Sequence, residues 1–238
     1  MSSPMNNAQS WAVSILRGGR GLIVTPYCQK NPPRPEKMLE LYEFESCPYC
    51  RKVREVLSEL DLAYICRPCP KRGTRNRDIV KERADKLMFP YLVDPNTGTE
   101  LYESEDIITY LVDTYGGGRK VAGKIAAPLN TTAAMVASFT RMKGGQVAPG
   151  RESAPAPARL LELYNFEASP YCRKAREALG ELNLDYITHN VAKKSARRRE
   201  FKALAGRMMV PYLVDPNTGE AMYESDDIVS YLYGTYGG

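Results

Sequence analysis

Two stretches of this chain repeat each other closely enough to dictate its architecture. Residues 39–65 read LELYEFESCPYCRKVREVLSELDLAYI and residues 161–187 read LELYNFEASPYCRKAREALGELNLDYI, identical at 19 of 27 positions. The pattern returns at the end of each copy, from Pro90 and from Pro211, as PYLVDPNTGTELYESEDIITYLVDTYGG and PYLVDPNTGEAMYESDDIVSYLYGTYGG, identical at 20 of 28. Repetition of this length predicts two structural units of similar build. Each is about 78 residues, enough to close one hydrophobic core. The copies differ where it matters most: Cys47 and Cys50 of the first stand opposite Ser169 and Cys172 of the second.

Within a copy, Leu39, Leu41, Tyr42 and Phe44 make a short apolar strand ending at Ser46, and Pro48 opens a helix in whose first turn its missing N–H costs nothing. Val53, Leu57 and Leu60 form that helix's apolar stripe, matched by Ala175, Ala178, Leu179 and Leu182. On the amphipathic reading, Arg51, Lys52, Arg54 and Glu55 face water. A second strand follows at about 63–66 and 185–188. The next helix carries Ile79, Val80 and Leu87, or Phe201, Leu204 and Met208. Asp-Pro-Asn-Thr-Gly then joins two strands in a hairpin, and a last helix opens with an acidic first turn at Ser104 or Ser225, either of which suits an N-cap. The order β-α-β-α-β-β-α needs a parallel crossover followed by an antiparallel pair, hence an α/β fold with a four-stranded mixed sheet in each copy. The expected division is an N-terminal extension 1–38, domain one 39–117, a linker 118–158 and domain two 159–238. The linker's mildly apolar middle, 125–142, is expected to dock as a short helix or to lie on a membrane surface.

The formal charge of +5 permits acidic partners and requires none. Basic residues gather at one place in each copy, Arg67, Lys71, Arg72, Arg75 and Arg77, then Lys193, Lys194, Arg197, Arg198 and Arg199. A solvated face, a grip on a carboxylate and a dock for an acidic protein are the competing readings. No aromatic platform interleaves with the charges, which speaks against nucleic acid. Six cysteines, four of them in Cys-x-x-Cys pairs, favour a thiol-permitting compartment over a secreted disulfide framework. The lone His189 leaves little room for His-rich metal centres. Residues 1–35 lack Asp and Glu but contain Arg17, Arg20, Lys30 and Arg34, a bias shared by organelle transit peptides and by plain polar tails.

Cys47-Pro48-Tyr49-Cys50 after the first strand, Phe89-Pro90 before the third and Glu103-Ser104 at the last helix make the chain resemble the glutaredoxin branch of the thioredoxin fold and the N-terminal domain of glutathione transferases. The doubled pattern, with Pro128-Leu129 in the linker, resembles plant and algal plastid proteins built from two such domains. The resemblance implies two tandem thioredoxin-like domains, a chloroplast location with the cytoplasm as alternative, and glutathione as co-substrate. It implies catalysis by Cys47 and Cys50 and glutathione held by Tyr49, Phe89, Pro90, Glu103 and Ser104, with a cis bond before Pro90. The second copy then has a degenerate site of Ser169, Cys172, Val210, Pro211, Glu224 and Ser225. Physical chemistry agrees at Cys47: a cysteine at a helix N-terminus feels unpaired N–H groups and the positive dipole end, which favour its thiolate. Cys50, one turn on, is placed to resolve a mixed disulfide.

Cys66 and Cys69 complete a C-x₂-C-x₁₅-C-x₂-C spacing with Cys47 and Cys50, formally a zinc-ribbon match, although Cys47–Cys50 opens a helix rather than a metal-binding knuckle. No metal is expected, and a local disulfide, a relay pair and two unpaired thiols are the remaining readings. Two functional classes therefore compete. One is a glutathione-binding thiol–disulfide oxidoreductase active in the first copy. The other is a non-catalytic adaptor or subunit of a larger assembly, such as a plastid photosynthetic complex, for which the missing nucleophile of copy two argues. A glutathione transferase proper ranks third, because no all-helical second domain is present in the sequence.

Overall fold

The computed structural model of the protein describes residues 19–84, 86–118 and 145–238. The expected linker helix at 125–142, with Pro128 and Leu129, and residues 1–18 lie outside the described residues. A short helix α1 (Pro26–Lys30) precedes copy one, which runs β1 (Leu39–Glu43), α2 (Pro48–Glu59), β2 (Tyr64–Pro68), α3 (Arg75–Arg83), β3 (Tyr91–Asp94), β4 (Thr99–Leu101) and α4 (Ser104–Tyr115). Copy two repeats the order as β5 (Leu161–Asn165), α5 (Pro170–Glu181), β6 (Tyr186–Asn190), α6 (Arg198–Ala205), β7 (Tyr212–Asp215), β8 (Glu220–Tyr223) and α7 (Ser225–Tyr236). In each, the first two strands are parallel and the last two form the antiparallel hairpin. The chain thus has a thioredoxin-like mixed α/β fold with two repeated regions.

The two four-stranded sheets do not stand apart. They join edge to edge into one eight-stranded sheet in the order β4-β3-β1-β2-β6-β5-β7-β8. Strands β2 and β6 pair antiparallel, Ile65 opposite its own repeat equivalent Ile187, with Tyr64 opposite Thr188 and Cys66 opposite Tyr186. A pseudo-twofold axis therefore passes between the two isoleucines. Pairing here satisfies the backbone groups that each copy would otherwise leave bare along its β2 or β6 edge. Because β1 runs with β2 and against β5, the carboxyl ends of β1 and β5, and the cysteine motifs that follow them, point to opposite ends of the sheet. One apolar core spans both copies, from Leu41, Val53, Leu57, Leu92 and Ile107 to Leu163, Leu179, Leu213 and Ile228. Each such side chain contributes about 1.5–3 kcal/mol by leaving water.

The same junction overturns the amphipathic reading of α2. Arg51, Lys52, Arg54 and Glu55 are all buried, at 2–3% exposure. A polar helical stripe implies water only for a unit that stands alone. Here that face meets copy two and the segment leading into copy one. Arg54 pairs with Glu167, Arg20 and the Gly21 N–H bond Glu59, and Ser58 donates to the Gly21 carbonyl. The leading segments act as matched straps. Around residue 24, one bonds Lys193 of copy two (Val24 N–H to Lys193 O, 3.0 Å) and Glu59 of copy one. Around residue 147, the other bonds Lys71 of copy one (Val147 N–H to Lys71 O, 3.0 Å) and Glu181 of copy two.

Half of the basic residues in the two clusters are internal braces. Arg67 and Arg75 bond Asp185 of copy two, Arg197 donates to the Asp61 carbonyl, and Arg77 and Arg198 each donate to two carbonyls in their own copy. Lys71, Arg72, Lys193, Lys194 and Arg199 stay exposed. Helices α3 and α6 end sooner than expected. Leu87 and Met208 lie beyond them, and Leu87 and Leu204 are exposed, so Val80 and Phe201 are the apolar anchors. Ser104 and Ser225 are the first helical residues rather than the N-caps, a position taken by Glu103 and Glu224.

Candidate functional site

The turn after β1 presents Cys47. The Cys47 N–H donates to the Phe44 carbonyl at 3.0 Å, closing the turn Phe44-Glu45-Ser46-Cys47, and Cys47 becomes the N-cap of α2. Its sulfur accepts a hydrogen bond from the Cys50 N–H at 3.2 Å, one of the donors a helix leaves unpaired. The Phe89–Pro90 peptide bond is cis, as the resemblance implies, and the Phe89 carbonyl oxygen lies 4.0 Å from the Cys47 sulfur. The Phe89 ring sits edge-on to Phe44 and beneath the Arg77 guanidinium. Tyr49, within the motif, is exposed. Lys52 of α2 pairs with Glu105, which draws the Glu103–Ser104 corner against α2. Glu103 there has φ +59°, a backbone region uncommon for a non-glycine residue and often found at functional sites.

The two thiols differ in acidity. Burial alone would raise the Cys47 pKa, but the bonds from the Cys50 thiol and N–H outweigh it and hold Cys47 below the ordinary thiol value. Burial and the neighbouring Cys47 push Cys50 well above. The outer thiol is thus the more readily ionised and the inner one the more firmly protonated, an order suited to attack followed by resolution. Cys47 itself is only 3% exposed.

Copy two keeps the scaffold. The Ser169 N–H donates to Phe166, its hydroxyl oxygen accepts from the Cys172 N–H at 3.3 Å, the Val210–Pro211 bond is cis, and Glu224 before Ser225 has φ +64°. Cys172 is buried with its pKa raised by burial. His189 meets Glu162 at 2.9 Å and stacks on Tyr164, contacts that involve neither Ser169 nor Cys172.

Cys66 and Cys69 are buried, free thiols. Cys66 donates to the Glu43 carboxylate at 3.4 Å and Cys69 to the Arg67 carbonyl, and burial drives both pKa values well up. Among the described residues, no three His, Cys, Asp or Glu side chains converge as a metal site, so the zinc-ribbon spacing does not translate into geometry. The cavity that Cys66 shares with Glu43, Phe44, Glu45, Arg176 and Tyr186 has room for about one water. No substrate of glutathione's size reaches Cys66 that way.

Beneath the site lies a group that the sequence reading left unused. Arg54 binds Glu43, Glu45 and Glu167, while Arg176 binds Glu45 and Glu167, every side chain at 1–4% exposure. Glu45 and Glu167 are repeat equivalents, as are Arg54 and Arg176, so the bridges cross the pseudo-twofold axis in both directions. Burial would raise the Glu45 and Glu167 pKa values, but Arg176 and Arg54 hold both below the usual carboxylate range. Glu43, whose equivalent is Asn165, is raised by burial despite Arg54. The available signal was identity of Glu45 in the turn, and of Arg51 and Arg54 on the helix face expected to meet water, with Glu167, Arg173 and Arg176.

A cysteine capping the helix after the first strand, with a cis-proline turn beside its sulfur, defines a thioredoxin-like protein. The chain belongs to the glutathione S-transferase N-terminal domain family, which matches residues 41–119 and again 163–238. A glutaredoxin-like 8.6 kDa protein of the rubredoxin operon of Clostridium pasteurianum, itself uncharacterized, is 30% identical over 59 residues, 24% of this chain and 79% of that protein. A trimeric glutathione transferase from Leishmania superposes over 84% of this chain and 67% of its own, at 18% identity and a TM-score of 0.31.

Proposed function

We propose that the protein is a glutathione-dependent thiol–disulfide oxidoreductase working through Cys47 of copy one. The observation that carries this reading is the placement of Cys47 as the N-cap of α2, its sulfur accepting the Cys50 N–H at 3.2 Å beside the cis-Pro90 turn, where those bonds favour ionisation of Cys47 over Cys50. The Cys47 thiolate attacks the glutathione sulfur of a mixed disulfide, forming a Cys47–glutathione disulfide and releasing the target as thiolate. The Cys50 thiol gives up its proton and attacks the Cys47 sulfur, releasing glutathione thiolate and leaving a Cys47–Cys50 disulfide. Two further glutathione molecules reduce that disulfide and leave as oxidised glutathione. Glutathione is held by Tyr49, the Phe89 backbone beside cis-Pro90, and the Glu103–Ser104 corner, where the N-terminus of α4 receives a carboxylate. Ser169 cannot form a mixed disulfide, so copy two takes no part in exchange. Neither a metal nor a nucleic acid enters the scheme.

The test is reduction of a small glutathione mixed disulfide with glutathione as electron source. Wild type turns over, Cys47→Ser is inactive, and Cys50→Ser keeps activity through direct attack of glutathione on the Cys47 adduct. Equal, background rates for wild type and Cys47→Ser would overturn the proposal. A non-catalytic adaptor within a larger assembly, plastid or otherwise, is the second reading, and the near-complete burial of Cys47 is the observation in its favour.

A further inference from the structure

We infer that Arg176, which belongs to the copy without a nucleophile, is a positioning residue for Cys47 of the other copy. The inference rests on the reading of Cys47 as the nucleophile and adds a reason for the second copy to be part of the enzyme. Glu45 is the second residue of the turn Phe44-Glu45-Ser46-Cys47, whose closing hydrogen bond is made by the Cys47 N–H itself. The Glu45 carboxylate is gripped by Arg176 through two bonds, Nε to Oε2 at 3.0 Å and Nη2 to Oε1 at 3.1 Å. Arg54 holds the backbone of the same residue, donating to the Glu45 carbonyl at 3.3 Å. The cysteine-bearing turn is therefore fixed by one arginine from each copy. Both are 1% exposed, and a paired guanidinium in such surroundings has a single low-energy placement.

The exchange is reciprocal. Glu167, in the Ser169 turn, is gripped by Arg54 at 3.0 and 3.4 Å and by Arg176 at 2.9 Å. Since Arg54 lies on the helix that Cys47 opens, copy two's turn holds copy one's helix while copy two's helix holds copy one's turn. Ser169 in place of a cysteine leaves this clamp intact, so copy two supports a site whose nucleophile it does not itself carry.

The clamp also sets charge. The groups acting directly on Cys47 are Glu43 from β1 and Cys50 and Arg54 from α2; Glu45 of the turn lies behind Arg54, in a charge group with Arg51 of α2, Arg173 and Arg176 of α5, and Glu167. Removing the Arg176 charge leaves Glu45 less neutralised, two residues from the thiolate, and disfavours that thiolate. At the effective dielectric of protein sites such a change moves a pKa by about one unit, a tenfold change in thiolate fraction.

The test is the pH profile of Cys47 alkylation, followed by mass spectrometry in the full-length protein. Arg176→Met is expected to shift the profile to higher pH and to slow alkylation at pH 7 about tenfold. Arg176→Met combined with Glu45→Gln is expected to return towards wild type, because both charges go together. Glu45→Gln alone, the variant that decides if Arg176→Met fails to fold, is expected to shift the profile to lower pH. A merely structural salt bridge would change stability and leave these profiles superimposed on wild type, which would overturn the inference. A wild-type Cys47 with an ordinary thiol profile would instead remove the reading on which the inference rests.

Discussion

At the level of single residues, the two copies form an internal comparison. Cys47 and Ser169 occupy the same N-cap and accept the same N–H bond, from Cys50 at 3.2 Å and from Cys172 at 3.3 Å. Only the first offers a sulfur whose ionised form that bond stabilises. Cys50→Ala removes the thiol donor while keeping the backbone one, so the Cys47 pKa is expected to rise part of the way towards that of an ordinary thiol, read by pH-dependent alkylation. Glu43 and Glu45 make a second contrast. Glu43 already carries a raised pKa and stands where copy two has Asn165, so Glu43→Gln gives up little charge stabilisation. Glu45→Gln strands part of the Arg176 and Arg54 pairing, and urea denaturation is expected to show the larger loss there, about 3 kcal/mol. The helix-opening cysteine motifs and the helix starts at Ser104 and Ser225 were legible in the sequence because each rests on its local neighbours, whereas the cis bonds before Pro90 and Pro211 were expected only from the family resemblance. The roles of Glu45 and Arg176 were not legible, since 131 residues separate them.

Among the elements, strands and helices followed the repeat pattern, and the misreadings cluster where an element meets the other copy. Helix α2 has an apolar stripe and a charged one, and periodicity cannot tell a charged stripe in water from one buried against matching charges. Helices α3 and α6 read as longer in the sequence because Leu87 and Met208 keep helical spacing past the actual ends at Arg83 and Ala205. The straps were not legible either, since backbone bonds such as Val24 N–H to Lys193 O and Val147 N–H to Lys71 O join residues far apart in the chain and leave no pattern in the sequence. At Gly145 the second strap packs so tightly on the cysteine turn that a β-carbon would collide with the Ser46 side chain. At Gly21, where φ is +75°, a β-carbon would lie 2.9 Å from Cβ of Glu167. Gly145→Ala is therefore expected to destabilise the fold by about 1–3 kcal/mol in urea and to disturb Cys47 alkylation. Ala at Gly98, an open position with no atom near its absent side chain, is expected to leave Cys47 unaffected.

For the whole molecule, the continuous sheet and shared core predict a single cooperative unit rather than two beads on a string. Urea unfolding followed by far-ultraviolet circular dichroism and by a probe confined to one copy is expected to give coincident transitions. Two separated transitions would show that the β2–β6 junction contributes little. Acid stability carries the signature of the clamp. Glu45 and Glu167 have folded pKa values below their unfolded ones, so their contribution is fully present above about pH 4.3 and is lost as pH falls through the folded values. Glu43 has the opposite sign and weakens the fold as pH rises past the same point. The melting temperature is accordingly expected to drop steeply below about pH 4. Glu45→Gln should flatten that drop.

The most direct test of the central claim is the pKa of Cys47 in the full-length protein, from alkylation with a small reagent across pH and peptide mass spectrometry. Cys47 is expected to ionise below the ordinary thiol range while Cys50 stays unmodified, and a glutathione adduct is expected on Cys47 that clears in the absence of free glutathione only when Cys50 is present. A Cys47 that reacts no sooner than an ordinary thiol, or not at all, would contradict this and leave the doubled fold as a scaffold.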